Sequence, residues 1–163
     1  MNKISTILVP YDFSKAAQAG FRYAVDFAGH RPGIHLRVCF IKDEGSAESL
    51  ETAFEELTSG LSKAFRAKIS WTSLIPGSVG GLLEKCEEEP TDMIIMGTSG
   101  SGDPGVTTKT SELVLSASCP VLVVPMGTPE EFGLSSIALV LGPNEIDDPS
   151  LLATLLDVSR NYG

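Results

Sequence analysis

Three stretches of this chain, Ile4 to Pro10, Met93 to Met96 and Val121 to Val124, are apolar and β-branched without a regular in-out alternation. A strand that shows one face to water alternates apolar and polar residues, whereas one buried on both faces does not. Strands of the second kind belong to parallel sheets covered by helices on both sides, and parallel neighbours need crossover connections, usually helical. The segments between the runs carry that helical signal. Ala17, Phe21, Ala24, Val25 and Ala28 recur at helical spacing behind Ser14, which is placed to cap them. Ile34 to Ile41 reads as a second strand. Leu50, Phe54, Leu57, Leu61, Ala64 and Phe65 mark one face of a long helix, opposite Glu48, Glu51, Glu55 and Glu56. Lys68 to Ile75, containing Trp71 as a core or interface residue, is a third strand. Val79, Leu82, Leu83 and Cys86 line a shorter helix, and another is expected over about Thr108 to Ser118. Five β-α repeats of this kind predict an α/β fold: a three-layer, doubly wound, five-stranded parallel sheet.

Length and charge narrow the function. The chain has 163 residues and a net charge of −9. An excess of acid repels polyanions at long range, so neither nucleic acid nor an anionic membrane surface is expected as a partner. No apolar stretch reaches the ~20 residues that span a bilayer. Cys39, Cys86 and Cys119 are odd in number and far apart in sequence, the pattern of reduced thiols and a cytoplasmic protein. Cys39 and Cys119 read as packing residues, and the glutamates around Cys86 are expected to raise its thiol pKa. His30 and His35 have no companions at metal-ligand spacing, so no metal is expected. They also lie too far from any serine to suggest a nucleophile.

In a doubly wound sheet, ligands sit beyond the carboxyl ends of the strands, where strand order reverses. The loops after strand one (Tyr11 to Ser14) and strand four (Gly97 to Thr108) are therefore the candidates. The second holds four glycines between Gly97 and Gly105. Gly100, Gly102 and Gly105 match a dinucleotide fingerprint, but after the wrong strand, with Pro104 inside and no acidic residue at the required distance. A P-loop fails because Thr108 precedes Lys109. A phospho-accepting role for Asp12 fails as well, lacking neighbouring acids and a lysine at the last strand.

A stronger match rests on three segments in order: Ile7 to Ser14 (ILVPYDFS), Asp92 to Thr98 (DMIIMGT) and Cys119 to Pro125 (CPVLVVP). With these the chain resembles the universal stress protein family over nearly its whole length. The resemblance implies a stress-response protein, homodimeric through the strand Val121–Val124. In nucleotide-binding members it implies an ATP site, carried here by Asp12 toward the ribose or metal, Phe40 near the adenine-lining position, Met96 and Gly97 where the strand-four backbone meets the nucleotide, and Gly100 as the next motif glycine. Backbone N–H groups of a glycine loop and a helix N-terminus suit phosphate. The family's third glycine is absent: counting from Gly100 puts Thr110 there, and counting back from Cys119 puts Thr107 and Thr108 there. The second alignment keeps Leu113, Val114 and Ala117 on the buried face of the helix and is preferred. A Cβ at that position hinders a triphosphate, while threonine hydroxyls remain able to bond phosphate, and Asp103 makes the loop negative. The expectation is a non-catalytic regulatory dimer with a degenerate nucleotide site. The alternative is an ATP-binding, slowly hydrolysing protein using Asp12 and the Gly97–Thr108 loop.

The domain is expected to be complete at residue 125, followed by a linker over 126–133. Residues 134–163 then read as the first strand-helix unit of a second copy. Ile137 to Leu141 supplies its strand, Leu151 to Val158 its helix, and Gly142 and Pro143 stand where the first copy has Asp12. On this reading the chain is the N-terminal part of a tandem member. A lone terminal helix packed on the first domain is the competing reading.

Overall fold

The computed structural model describes residues 4–43, 49–100, 108–129 and 151–162. Its elements run β1 (Thr6–Tyr11), α1 (Lys15–Ala28), β2 (His35–Ile41), α2 (Leu50–Ser59), β3 (Lys68–Leu74), α3 (Val79–Glu88), β4 (Met93–Thr98), α4 (Lys109–Ser116), β5 (Val121–Pro125) and α5 (Leu151–Tyr162). The five strands form one parallel sheet in the order β3-β2-β1-β4-β5. The chain winds outward from β1 to β3, returns to the far side of β1, and winds outward again. This is the expected doubly wound sheet, with its reversal between β1 and β4.

Strand parity sorts the core into two layers. Ile7, Val9 and Tyr11 of β1 lie beside Leu36, Val38 and Phe40 of β2 in register and pack with Phe21, Ala24 and Phe27 of α1. Leu8, Cys39 and Ile94 form the other layer with Leu82 and Cys86 of α3 and Leu113 of α4. Ile7, Leu8 and Val9 have no exposed surface. At about 1.5–3 kcal/mol for each buried aliphatic side chain, β1 anchors both layers. That is why its sequence does not alternate. β5, at the edge, is half-buried over Val121–Val123, with Val124 buried and Pro125 exposed.

Three features depart from the sequence reading. The long second helix stops at Ser59, capped by Gly60, although Leu61 and Phe65 still pack into the core. There a turn built on Ser62, which bonds Ala64 N and Phe65 N, replaces the last helical turns. The fourth helix is likewise shorter than expected, Lys109–Ser116. The environment of Cys86 lowers its thiol pKa instead of raising it, to about 7. The main cause is a hydrogen bond with Cys119, reinforced by Thr91 and the charge of Arg37, against the upward pull of burial and Glu87. Helix α5 packs against the sheet: Val158 is buried in the α1-side core, and Asp157 Oδ2 accepts from Ile4 N at 3.4 Å. The strand expected over Ile137 to Leu141 lies outside the described residues.

Candidate functional site

At the carboxyl ends of the strands, a cleft of about 550 Å³ lies at the β1/β4 reversal. Its floor is Pro10, Asp12, Ile41, Met96 and Gly97, and three helices begin at its rim. Ser14 caps α1 by accepting from Ala17 N, Ser78 caps α3 by accepting from Gly81 N, and Thr108 caps α4 by accepting from Ser111 N. All three caps line the cleft. Each helix brings about half a positive charge to its N-terminus, so the cleft focuses positive potential from three directions.

The turn after β1 is built to present Asp12. Phe13 occupies the left-handed region at φ 66°, costly for a residue with a Cβ. In exchange the chain reverses within three residues, and the Asp12 carboxylate accepts from Ser14 N at 3.1 Å. The Phe13 ring stacks on Phe40 at 5.5 Å and meets Tyr11 edge-on at 5.4 Å, which holds the turn against the core. The exposed Asp12 carboxylate keeps lone pairs for a ligand hydroxyl.

The two motif glycines are glycine for different reasons. A Cβ on Gly97 would stand 1.6 Å from the carbonyl oxygen of Ala16, and one on Gly20 would stand 2.5 Å from Gly97 N. The first turn of α1 therefore lies directly on the β4 backbone, and this contact brings the α1 N-terminus to the cleft. Gly100 meets no other described residue at its Cβ position but has a φ of +69°, so its constraint is conformational; its N–H bonds Thr98 Oγ1 at 3.2 Å. Thr108 is half-buried, and its hydroxyl is already engaged with Ser111 in a reciprocal capping box. Thr107 and Asp103 lie outside the described residues.

The structure thus brings Asp12, Met96, Gly97 and Thr108 to one cleft. Phe40 is a correction. It has no exposed surface and sits in the aromatic layer with Tyr11, Phe13 and Trp71, on the α1 side of the sheet. Parity explains this: Phe40 pairs with Tyr11, whereas the next residue, Ile41, turns to the cleft side. Sequence reading also missed the cations. Lys15, Lys42 and Lys109 line the cleft against Asp12 and Asp43, a local balance of +1 in a chain of −9. Lys42 is buried, with Nζ 5.2 Å from the centre of the Phe13 ring, a cation–π distance. Neither Lys42 nor the Gly77–Ser78 turn carried a motif that would have marked it.

Comparisons with known proteins follow the same division. The profile of the universal stress protein family matches residues 3–70. Universal stress protein UspA from Lactobacillus plantarum is 24% identical, with a TM-score of 0.51 over 76% of this chain and 99% of that one. A universal stress protein crystallised in complex with cAMP is 17% identical, with a TM-score of 0.66 over 77% of this chain and 100% of that one. A family protein from Arabidopsis thaliana with AMP bound is 12% identical, with a TM-score of 0.55 over 78% of this chain and 97% of that one. No curated protein matches the chain. At these identities the structures establish the shared fold. The family match spans β1, α1, β2 and α2.

Proposed function

We propose that this protein is a non-catalytic, cytoplasmic stress-response regulator whose cleft binds an adenine nucleotide with a short phosphate chain. The observation that carries this reading is the convergence of three capped helix N-termini on one cleft, with Lys15, Lys42 and Lys109 outnumbering the acids. Such a site suits a phosphate, while Asp12 suits ribose hydroxyls as an acceptor. Thr108 in place of the family's third glycine argues for a monophosphate over a triphosphate. The solved relatives with AMP or cAMP bound are consistent with that preference. A thermal-shift series with AMP, cyclic AMP and Mg-ATP tests it. Saturating AMP, at about 100 times its Kd, should add roughly 2.7 kcal/mol of stability and raise Tm by about 5–11 °C. A larger shift with Mg-ATP than with AMP would contradict the short-chain assignment. No shift with any of the three supports the second reading, a degenerate cleft, which the prior engagement of the Thr108 hydroxyl favours.

The same reading takes the protein as a homodimer joined through β5. Pro120 O accepts from Ile94 N, and Met126 N donates to Thr98 O, so the even-numbered positions of β5 bond β4. Val121 and Val123 therefore turn their backbone groups to the outer edge, where no strand pairs with β5 among the described residues. An unpaired edge of this kind accepts a partner strand. Among the described residues no helix is long and apolar enough to cross a membrane.

A further inference from the structure

From the 2.7 Å hydrogen bond between His35 Nε2 and Ser70 Oγ on the open face of the β2/β3 pair, we propose that Ser70 is a nucleophile activated by His35, which takes an acyl group from a small anionic donor of the acyl phosphate class.

The two residues stand 35 positions apart, a distance that hides the pair in the sequence; strand pairing joins them. The parallel register sets His35 opposite Lys68 and Arg37 opposite Ser70, so His35 and Ser70 are diagonal neighbours on one face of the sheet. Cys39 shares their parity and packs with Leu82 and Cys86, which puts that face on the α3 side. Along β3 the side chains alternate: Ile69 and Trp71 turn to the α1-side core, and Lys68, Ser70 and Thr72 turn the other way. Among the described residues, the apolar layer under α3 takes only Leu74 from β3. His35 and Ser70 are both partly open to water. Solvent would satisfy either group unaided, so burial does not require the bond. The pair lies toward the amino-terminal ends of β2 and β3, whereas the cleft opens at the carboxyl ends of the strands.

The surrounding charges suit a general base. Burial first, then Lys68 and Arg37, hold the His35 pKa below its ordinary 6.5, against the pull of Glu89. The ring is therefore neutral at pH 7, and with its proton on Nδ1 it accepts the Ser70 proton at Nε2. Arg37 is committed to Glu89 and to Thr91 Oγ1 at 3.0 Å. Lys68 is exposed, stands opposite His35, and makes no ion pair among the described residues. Its ammonium gives the face the positive charge that draws an anionic donor and steadies the oxyanion formed on attack.

The step balances. Ser70 Oγ attacks the acyl carbon while its proton passes to His35 Nε2. The tetrahedral intermediate collapses by breaking the bond between the acyl carbon and the phosphate oxygen. Phosphate leaves with the electron pair and takes the proton from His35. One serine and one acyl phosphate thus give one serine ester and one inorganic phosphate, with nothing oxidised or reduced.

The test incubates the full chain with acetyl phosphate and follows intact mass, peptide maps and released phosphate. The expected product carries one acetyl group on Ser70, removed by alkaline hydroxylamine as an ester is. Its rate of formation should climb with pH and level off through a midpoint below 6.5. Ser70→Ala should abolish the product and Ser73→Ala should leave it unchanged. His35→Gln should slow acylation by about 100-fold or more. Lys68→Met should slow the reaction of acetyl phosphate more than that of neutral p-nitrophenyl acetate. Nitrogen NMR of the parent chain at pH 7 reads the tautomer without any variant, and the His35 proton is expected on Nδ1. A proton on Nε2, acetyl groups on lysines with Ser70 unmodified, an unchanged rate in His35→Gln, or equal slowing of both donors in Lys68→Met would each overturn the proposal.

Discussion

Gly97→Ala isolates the contact that builds the cleft. The added methyl would stand 1.6 Å from Ala16 O, 2.3 Å from Ala16 C and 3.1 Å from Ala17 N. All three obstacles are backbone, so no side-chain rotation relieves them; α1 must lift off β4, or β4 must shift out of register with β5. Overpacking ordinarily costs about 1–3 kcal/mol, and a collision with backbone alone belongs at or above the top of that range. Against a total stability of about 5–15 kcal/mol, a loss of about 3 kcal/mol is a large fraction. In urea it should move the unfolding midpoint down by about 1–2 M, and in a thermal scan it should lower Tm by about 6–12 °C. Gly100→Ala is the internal control. Among the described residues no atom beyond its chain neighbours lies within 4 Å of the added methyl, and the left-handed backbone at φ +69° opposes it by about 1–2 kcal/mol. From sequence the two glycines look equivalent as nucleotide-loop residues. A Gly97→Ala variant as stable as Gly100→Ala, or within 0.5 kcal/mol of the parent (well below the ~1 kcal/mol floor for overpacking), would refute the packing argument.

Other perturbations probe the rest of the framework. Asp92 loses ionisation energy to burial but gains more from Ser5 N, Ser5 Oγ and Thr6 N, all bonded to one carboxylate oxygen at 2.7–2.9 Å, so its pKa is depressed. A depressed carboxylate stabilises the fold above its unfolded pKa, near 3.8, and loses that contribution as pH falls through its lower folded value. Asp92→Asn should therefore cost about 1–3 kcal/mol at pH 7 in chemical denaturation, a difference that narrows below pH 3.8; a gap that widens in acid would contradict the assignment. Phe40→Leu should destabilise by roughly 1 kcal/mol, yet leave nucleotide affinity per folded molecule unchanged, because Phe40 lies behind the sheet from the cleft. A tenfold loss of affinity would return Phe40 to the site. For the proposed dimer, Val123→Pro removes an outward N–H without breaking a bond to β4, so light scattering should find monomer; persistent dimer would place the interface elsewhere.

Much of this architecture could be read before the structure. β1 and β4 announce themselves because a strand buried on both faces is an almost unbroken apolar run, and the reversal between β1 and β4 then locates the cleft. What escaped depended on relations between distant segments. Nothing local distinguishes Phe40 from Ile41; only the pairing of Phe40 with Tyr11 decides which of them faces the cleft. Apolar spacing past Gly60 suggested more helix, since Leu61 and Phe65 are core residues whether or not the backbone stays helical. Lys42 is followed directly by an acid in sequence, which conceals that it shares one cleft with three helix N-termini and two further lysines. The glutamates beside Cys86 misled for the same reason. They occupy the solvent side of α3, while Cys119 and Arg37 meet the sulfur from within.

Calorimetric titration of the full chain with AMP, in parallel with Asp12→Ala, tests the central claim most directly. We expect saturable binding at one site per chain, weakened about 10- to 100-fold in Asp12→Ala by loss of a charge-assisted hydrogen bond to ribose. No binding heat at millimolar AMP, or equal affinity in the variant, would contradict a nucleotide held in this cleft.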